Sequence, residues 1–532
     1  MASGYGKGSA SNDKRVFKSF LNELLSGSPR QDIDYNNKTL RQRSRLLYMT
    51  EPLAASLVNN PRNNVVGLGI FAKPRIDFET IGISKEAAEK MQVQFEKEFR
   101  LWAEDKYSCD AMGMNNFYGL QQIAFTSWLL SGDVFTLFKS YNRTPVRPYG
   151  LRLHIIEADR CCTEGNRSGR YGIVGTSKDG NQVYDGVEVD KNGMVVAYYI
   201  ASSYPSDYNY PDKDGLKWQR VPVLGTETQL PNILHIMSAE RPDQYRGVPF
   251  LSKVIEPLLQ IRRYREAELM AAVIQAFFTV FIEESDDSNG NPMFNEPLGD
   301  NEEKSVNEDE LELGPGNINF LDKGQKANFA QPTHPNSGFS AFCETLICHI
   351  ASGLGIPKEI VLMCFNSSYS ASRAALQEAW KTYRMFRKWF VDDFCQPTYE
   401  RWLYEAVALG RLSAPGFFND PIIRKAYSGV EWVGQSQGMI DPTKDVKAAV
   451  DAITAGFTTA EAETVRLYGG DIYQNIAQRG HEIELMKEAG MLQTQTFAEN
   501  PVNNQSQENN FDDNSEDNSD KGENDNGKDE NE

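Results

Sequence analysis

The sequence has 532 residues, 40% hydrophobic and 24% charged, a globular balance with room for roughly two to four domains. No stretch reaches the roughly 18 consecutive apolar residues of a membrane span; the most apolar run, residues 271–282, is short and follows Arg262, Arg263 and Arg265. A net charge of −19, unevenly spread along the chain, argues against strong non-specific nucleic-acid binding by the chain as a whole.

Residues 1 to about 30 read as a flexible N-terminal arm, Gly/Ser-rich at 1–10, without a secretion-signal pattern and with one short amphipathic piece at 16–25. Residues 33–59 have helix-forming composition and end at a Pro61-Arg62-Asn63-Asn64 break. Ser84 opens a helix carrying Met91, Phe95, Phe99 and Trp102 at spacings of four, four and three. A second helix, 118–130, leads through Ser131-Gly132-Asp133 into a strand at 134–138. Leu151, Leu153 and Ile155 alternate with Arg152 and His154, as in a half-buried strand, and Asn192-Gly193 marks a hairpin between 187–190 and 194–200. These features predict a mixed α+β domain over residues 31–250.

The pattern then changes. Apolar residues at helical spacing run from 248 to 282, with Pro257 either kinking the helix or marking its first turn. Residues 283–336 are acidic and rich in Gly and Pro, with a strand-like piece at 318–321. Helix returns at Phe339 and ends within 353–357. The polar loop at 364–370 leads into a long helix with Leu376, Trp380, Tyr383, Phe386, Phe390 and Phe394 as its stripe, bent at Pro397. Residues 441–490 hold three helical pieces separated by Gly456 and Gly469-Gly470. From 501 onward, eleven acidic residues against two lysines and almost no apolar side chains predict a disordered tail.

Catalytic patterns are missing. The sequence has no Walker loop, HExxH, GxSxG or paired CxxC, and Gly67-Leu68-Gly69 lacks the third glycine of a dinucleotide fold. Seven scattered cysteines and five histidines suggest reduced thiols in a cytoplasmic setting and no cofactor or metal site. On one helix, Cys343 and Cys348 diverge by about 140°. Glu283-Glu284 and Asp392-Asp393 read as a solvated helix end or face, and His235 as a satisfied core or edge-strand histidine. No catalytic set is therefore assigned. Helix stripes this long need partners, and a ring of identical subunits supplies them through heterologous contacts.

Residues 241–249, with Arg241, Gln244, Arg246, Gly247, Val248 and Pro249 in an R-x-x-Q-x-R-G-V-P pattern, resemble the signature of lambda-type portal proteins of tailed phages. In the same order follow or precede LHIIEADR at 153–160, Gly186-Val187-Glu188, IASGLGIP at 350–357, YSASRAA at 369–375 and IDPTKD at 440–445. The resemblance spans roughly residues 35–490. It implies a portal-type α+β ring subunit: wing 31–250, first stem helix 251–282, clip 283–336 with a small α/β fold, second stem helix 337–357, tunnel loop 358–371, long wing helix 372–412, helical crown 413–490 and disordered tail 491–532. The implied role is a dodecameric ring at one capsid vertex through which double-stranded DNA is packaged and ejected. The implied partners are further copies of the chain, the terminase large subunit, the head–tail connector or adaptor, and the major capsid and scaffolding proteins. The setting is the virion, and the host cytoplasm during assembly.

On that resemblance Asn366, Ser367, Ser368, Tyr369, Ser370 and Arg373 face DNA in the tunnel loop. Arg262, Arg263 and Arg265 meet a neighbouring subunit or the channel, or else pair with Glu256, Glu266 or Glu268 on their own helix. Glu302, Glu303, Glu308, Asp309 and Glu310 are clip positions for partner docking, or solvated loop charges. A capsid-maturation protease or other phage enzyme would need a nucleophile with a base in reach, and a non-ring adaptor or minor capsid protein would not need paired stem helices.

Overall fold

After a π-turn at Arg30–Asp34, two helices open the computed structural model, which describes residues 27–165, 174–207, 215–276, 280–282, 318–320, 338–365, 368–439 and 441–491. They are α1 (Tyr35–Thr50) and α2 (Pro52–Val65), the latter with Pro52 at its first position, where a missing N–H costs nothing. The break expected at Pro61 does not occur, because α2 runs through it. Contacts from outside the helix hold that turn: Ser56 Oγ donates to Val361 O at 2.7 Å and Asn60 Nδ2 to Ile360 O at 3.0 Å. Arg387 donates to the terminal carbonyls of Asn64 and Val65. Tertiary bonds override the local breaker.

Strand β1 (Phe71–Pro74) precedes α3 (Lys85–Glu104), whose N-cap Ser84 accepts from the Ala87 amide. The four-four-three stripe of α3 buries Phe95, Phe99 and Trp102, while Met91 stays partly buried. Helix α4 (Phe117–Ser131), capped by Asn116, is buried almost all round and turns at Gly132 into β2 (Asp133–Ser140). Strands β2, β3 (Leu151–Glu157) and a later strand form an antiparallel sheet with β2 in the centre. The alternation expected in β3 is imperfect. Arg152 is buried, satisfied by the carbonyls of Tyr149 and Leu151, and Ile156 is buried in place of Ile155.

A five-stranded antiparallel sheet follows in simple order: β4 (Val174–Thr176), β5 (Gln182–Tyr184), β6 (Val187–Val189), β7 (Val195–Ala201) and β8 (Trp218–Pro222). Its β6–β7 hairpin turns at Gly193 (φ +89°), where Asp190 accepts from the Asn192 and Met194 amides. Strand β9 (Ile233–Met237) returns to the edge of the β2 sheet.

After a 3₁₀ turn at Phe250–Val254, α5 spans Ile255–Ala276, with Pro257 in its first turn. The helix expected to continue through residue 282 stops there: β10 (Val280–Ile282) pairs in parallel with β11 (Ile318–Phe320), as its β-branched and aromatic composition favours. The acidic candidates Glu302, Glu303, Glu308, Asp309 and Glu310 lie outside the described residues, as do the short piece at 16–25 and the tail beyond 491.

Helix α6 (Phe339–Leu354) ends at Gly355 in the left-handed region, and α7 (Lys358–Leu362) at Met363 (φ +51°). Helix α8 (Tyr369–Phe390) passes through a π-turn at Val391–Cys395 into α9 (Gln396–Ala408). The expected loop at 358–371 is thus shorter. Residues 358–362 are helical, and Ser368, whose Oγ accepts from the Ala371 amide, starts α8 at Tyr369. Rings from α3, α4, α8 and α9 fill the main core, with Phe99 edge-on to Trp402 at 5.0 Å and Phe125 to Phe390 at 5.5 Å.

Residues 413–433, expected to open the C-terminal helical region, instead return to this body. A short helix at Pro421–Tyr427 precedes β12 (Val430–Val433), which pairs with β1, and Phe417 and Tyr427 are buried. Helices α10 (Pro442–Thr454) and α11 (Ala460–Tyr468) follow. The chain divides into two units, Met1–Gly470 and Asp471–Glu532; in the second, α12 (Ile472–Glu488) has no buried residue. Among the described residues no helix is long and apolar enough to cross a membrane.

Candidate functional site

The signature at 241–249 adjoins a cluster of buried charges. Gln244 Oε1 accepts from the amides of Glu240 (2.8 Å) and Arg241 (3.1 Å), and its Nε2 donates to Arg246 O at 2.9 Å. The segment is thereby folded onto itself, with Asp243 in the left-handed region (φ +59°). Arg246 is fully buried. Its Nε donates to Asp133 Oδ2 (2.7 Å), Nη1 to Asp185 Oδ2 (2.7 Å) and Cys161 O (2.8 Å), and Nη2 to Ala158 O (2.8 Å). Arg41 of α1 donates to Asp133 Oδ1 and to Ser131 O. His235 Nε2 stands 3.4 Å from Asp133 Oδ2, and its ring stacks on Phe135.

One guanidinium therefore joins the β2 sheet, the turn before β6 and the loop after β3, while Arg41 adds α1. Burial alone would raise the Asp133 carboxyl; Arg246, Arg41 and the His235 contact outweigh it and hold the group well below the carboxylate range. Burial lowers His235 despite Asp133, which keeps the ring neutral. Asp34, 6% exposed beside this cluster, differs: burial and then the Asp185 charge push it up to about 7. Gly247 is required by contact, since a Cβ there would lie 1.9 Å from Gly132 O. The signature is a structural junction, and it has no nucleophile–base pair.

The paired helices α5 and α6 lie next to it. Tyr264 meets Phe339 and Phe342 at ring distances of 5.4 and 5.0 Å, and Val254 lies against Gly353, so the two run antiparallel. Of the three arginines, Arg262 pairs with Glu266 on its own helix (2.9 Å). Arg265 instead reaches Glu51, the buried residue between α1 and α2, at 3.0 Å. Arg263 is exposed and makes no ion pair or hydrogen bond among the described residues. Leu259, Leu269, Met270, Val273 and Phe342 are exposed apolar side chains on this pair.

Between α7 and α8, Met363 and Phe365 are exposed, and Asn366 and Ser367 lie outside the described residues. Ser368 caps α8, and Tyr369 and Ser370 stand exposed on its first turn. Arg373 is brought elsewhere: its Nη2 bonds Asp445 of α10 at 3.0 Å, so its charge is neutralised within the chain. The segment is more apolar than its serines suggested. No local pattern in the sequence marks the partners of Arg246; the one signal is an arginine inside an otherwise apolar R-G-V-P turn, which requires a buried counter-charge. Among the described residues no three His, Cys, Asp or Glu side chains converge as metal ligands.

The class these features define is a phage structural subunit of portal type: residues 23–387 match the family described as phage portal protein, lambda family. The chain belongs to that family. Portal protein B of Escherichia phage lambda is 23% identical over 461 residues, covering 82% of each chain, and the portal protein of Escherichia phage N15 is 23% identical over 457 residues with the same coverage. The probable portal protein of Halomonas phage phiHAP-1 is 24% identical over 471 residues, 87% of this chain and 84% of its own. Among solved structures, a chain from the neck of a native gene transfer agent particle computed with C12 symmetry is 13% identical, with a TM-score of 0.36 and coverage of 81% and 94%.

Proposed function

We propose that this portal protein forms a closed, dodecameric ring at one capsid vertex, through which double-stranded viral DNA enters during packaging and leaves at ejection. The observation that supports the ring is the exposed apolar surface of the α5–α6 pair, where Leu259, Met270, Val273 and Phe342 lie open to solvent in a single chain. In this reading α5 and α6 are the stem, residues 283–336 the clip, and the segment after α7 the tunnel loop. Helix α8 with the β sheets forms the wing, and α10 to α12 the crown. The clip, through Glu302, Glu303, Glu308, Asp309 and Glu310, docks the terminase motor and later the head–tail connector, and the major capsid and scaffolding proteins surround the wing. The ring resides in the virion, after assembly in the host cytoplasm.

The loop chemistry suits passage. Residues 364–370 carry no Lys or Arg, and Arg373 is already paired, so phosphates slide past without being gripped. Function then lies in the geometry around a hole and needs no catalytic residue. Native mass spectrometry of the purified chain tests this reading: a ring is expected, and a monomer at every concentration overturns it. Deleting residues 366–370 should leave the ring intact while impairing DNA packaging or retention; rings that fail to form would make the loop a subunit contact. Protease turnover abolished by a single Ser, Cys or Asp substitution would instead establish an enzyme.

A further inference from the structure

The stem exposes two surfaces of opposite shape. On α5, Leu259, Arg263, Glu266, Met270 and Val273 follow at spacings of four, three, four and three, which places them in one exposed stripe. At 100° per residue the stripe lies about 100–180° round the helix from Tyr264, the ring that faces α6. On the other flank, α6 and α7 enclose a groove of about 580 Å³. Its lining includes Cys343, Ile347, Leu362 and Cys364, with Glu344 and Glu359 at its rim.

The charges on the two surfaces are complementary: an arginine stands in the stripe, and Glu344 and Glu359 stand at the groove beside Lys358, which lines it too. Arg263 is the cation of the stripe, and it makes no ion pair among the described residues. Glu344 is engaged by Lys358, whereas the Glu359 carboxylate makes no ion pair or hydrogen bond among the described residues. Heights along the stem agree as well. Because Tyr264 lies beside Phe339 and Phe342 while Val254 lies beside Gly353, the groove occupies the level of α5 from about Pro257 to Tyr264. A rotation about an axis along the stem leaves every height unchanged, so Arg263 of one copy arrives level with the groove of the next.

We propose that the occupant of the α6–α7 groove is α5 of the neighbouring copy of this chain, with Arg263 paired to Glu359 across the subunit boundary and Leu259 seated over Ile347 and Cys343. The contact is heterologous, ridge into groove, and repeats until the ring closes. It rests on the ring proposed above and assigns that ring a specific contact and a specific charge pair. The pair is fixed at a site partly shielded from water, where opposite charges set register and like charges repel.

The test uses the full chain and mass photometry across a dilution series. Arg263→Glu and Glu359→Arg should each raise the concentration for half-assembly by about tenfold or more, and the two together should restore it towards wild type. Thermal melts at a dilution where all are monomeric separate assembly loss from misfolding. A second arm replaces Leu259 by Cys and adds a short bismaleimide: crosslinks to Cys343 or Cys364 should give a ladder of dimers and higher species, absent from wild type. Single variants that assemble like wild type, a double variant no better than the singles with melts unchanged, or no ladder from assembled rings would overturn the contact while leaving the ring standing. A wild-type chain that never assembles would remove the ring itself.

Discussion

The signature junction and the α5–α6 stem lie side by side and are built on opposite terms. At the junction the central charges are out of water and answered: Arg246 is fully buried among two carboxylates and three carbonyls, and Asp133 takes two guanidiniums and a histidine. In the stem the reverse holds, with large apolar side chains in solvent and Arg263 unanswered among the described residues. The junction is finished within one chain, and the stem is not. The ring proposed above calls for both conditions, a rigid body to hold the subunit's angle and an incomplete face to recruit the next copy.

The largest effect expected from breaking this contrast is at Arg246. Arg246→Met leaves the buried Asp133 and the half-buried Asp185 without their main counter-charge, which should cost about 3–5 kcal/mol and lower the urea midpoint steeply. A loss below about 1 kcal/mol would mean that the junction is wetter and less coupled than its geometry implies. Next, Gly247→Ala drives a Cβ into Gly132 O and should cost about 3 kcal/mol in the same measurement.

Why the junction escaped a linear reading is clear from its spacing. Arg246 meets Asp133, Asp185 and Ala158 across 113, 61 and 88 residues, so no local pattern carries it, even though the R-G-V-P turn itself was recognisable. Local signals did better where one element answers to itself, as in the Ser84 cap with the Phe95–Phe99–Trp102 stripe and the Asn192-Gly193 hairpin. They failed where distant partners decide. Pro61 sits inside a helix because Val361, Ile360 and Arg387 supply bonds from 300 or more residues away. Likewise Val280–Ile282 is a strand because Ile318–Phe320 lies beside it. Of the loop candidates, Tyr369 and Ser370 belong to a helix, and Arg373 belongs to an ion pair whose partner is 72 residues on.

An effect of opposite sign comes from Asp34. Its carboxyl is raised in the folded state to about 7, from 3.8, by burial and by Asp185. The folded chain therefore holds this proton more tightly than the unfolded one, so the group's contribution is fully present below pH 3.8 and is lost as pH rises through about 7. Between pH 5 and 7 the slope is about 1 kcal/mol per pH unit against stability, flattening above. Asp34→Asn should raise the melting temperature at pH 8 and flatten the wild-type decline from pH 6 to 8. An unchanged profile would place water or a counter-charge beside Asp34.

The smallest effect on the single chain should fall on the stem. Met270 is 59% exposed, so Met270→Ser removes little buried area and should shift monomer stability by no more than about 0.5 kcal/mol. In a ring the same side chain belongs to a face that another subunit covers, and its loss should weaken assembly measurably at low concentration. The two readings come from one sample, a melt under dissociating dilution and a mass distribution under associating conditions. If Met270→Ser melts as low as Gly247→Ala, the stripe is already packed in the isolated chain and the contrast between junction and stem collapses. If it melts like wild type and assembles poorly, the stem is incomplete by construction, and its missing half is another copy of itself.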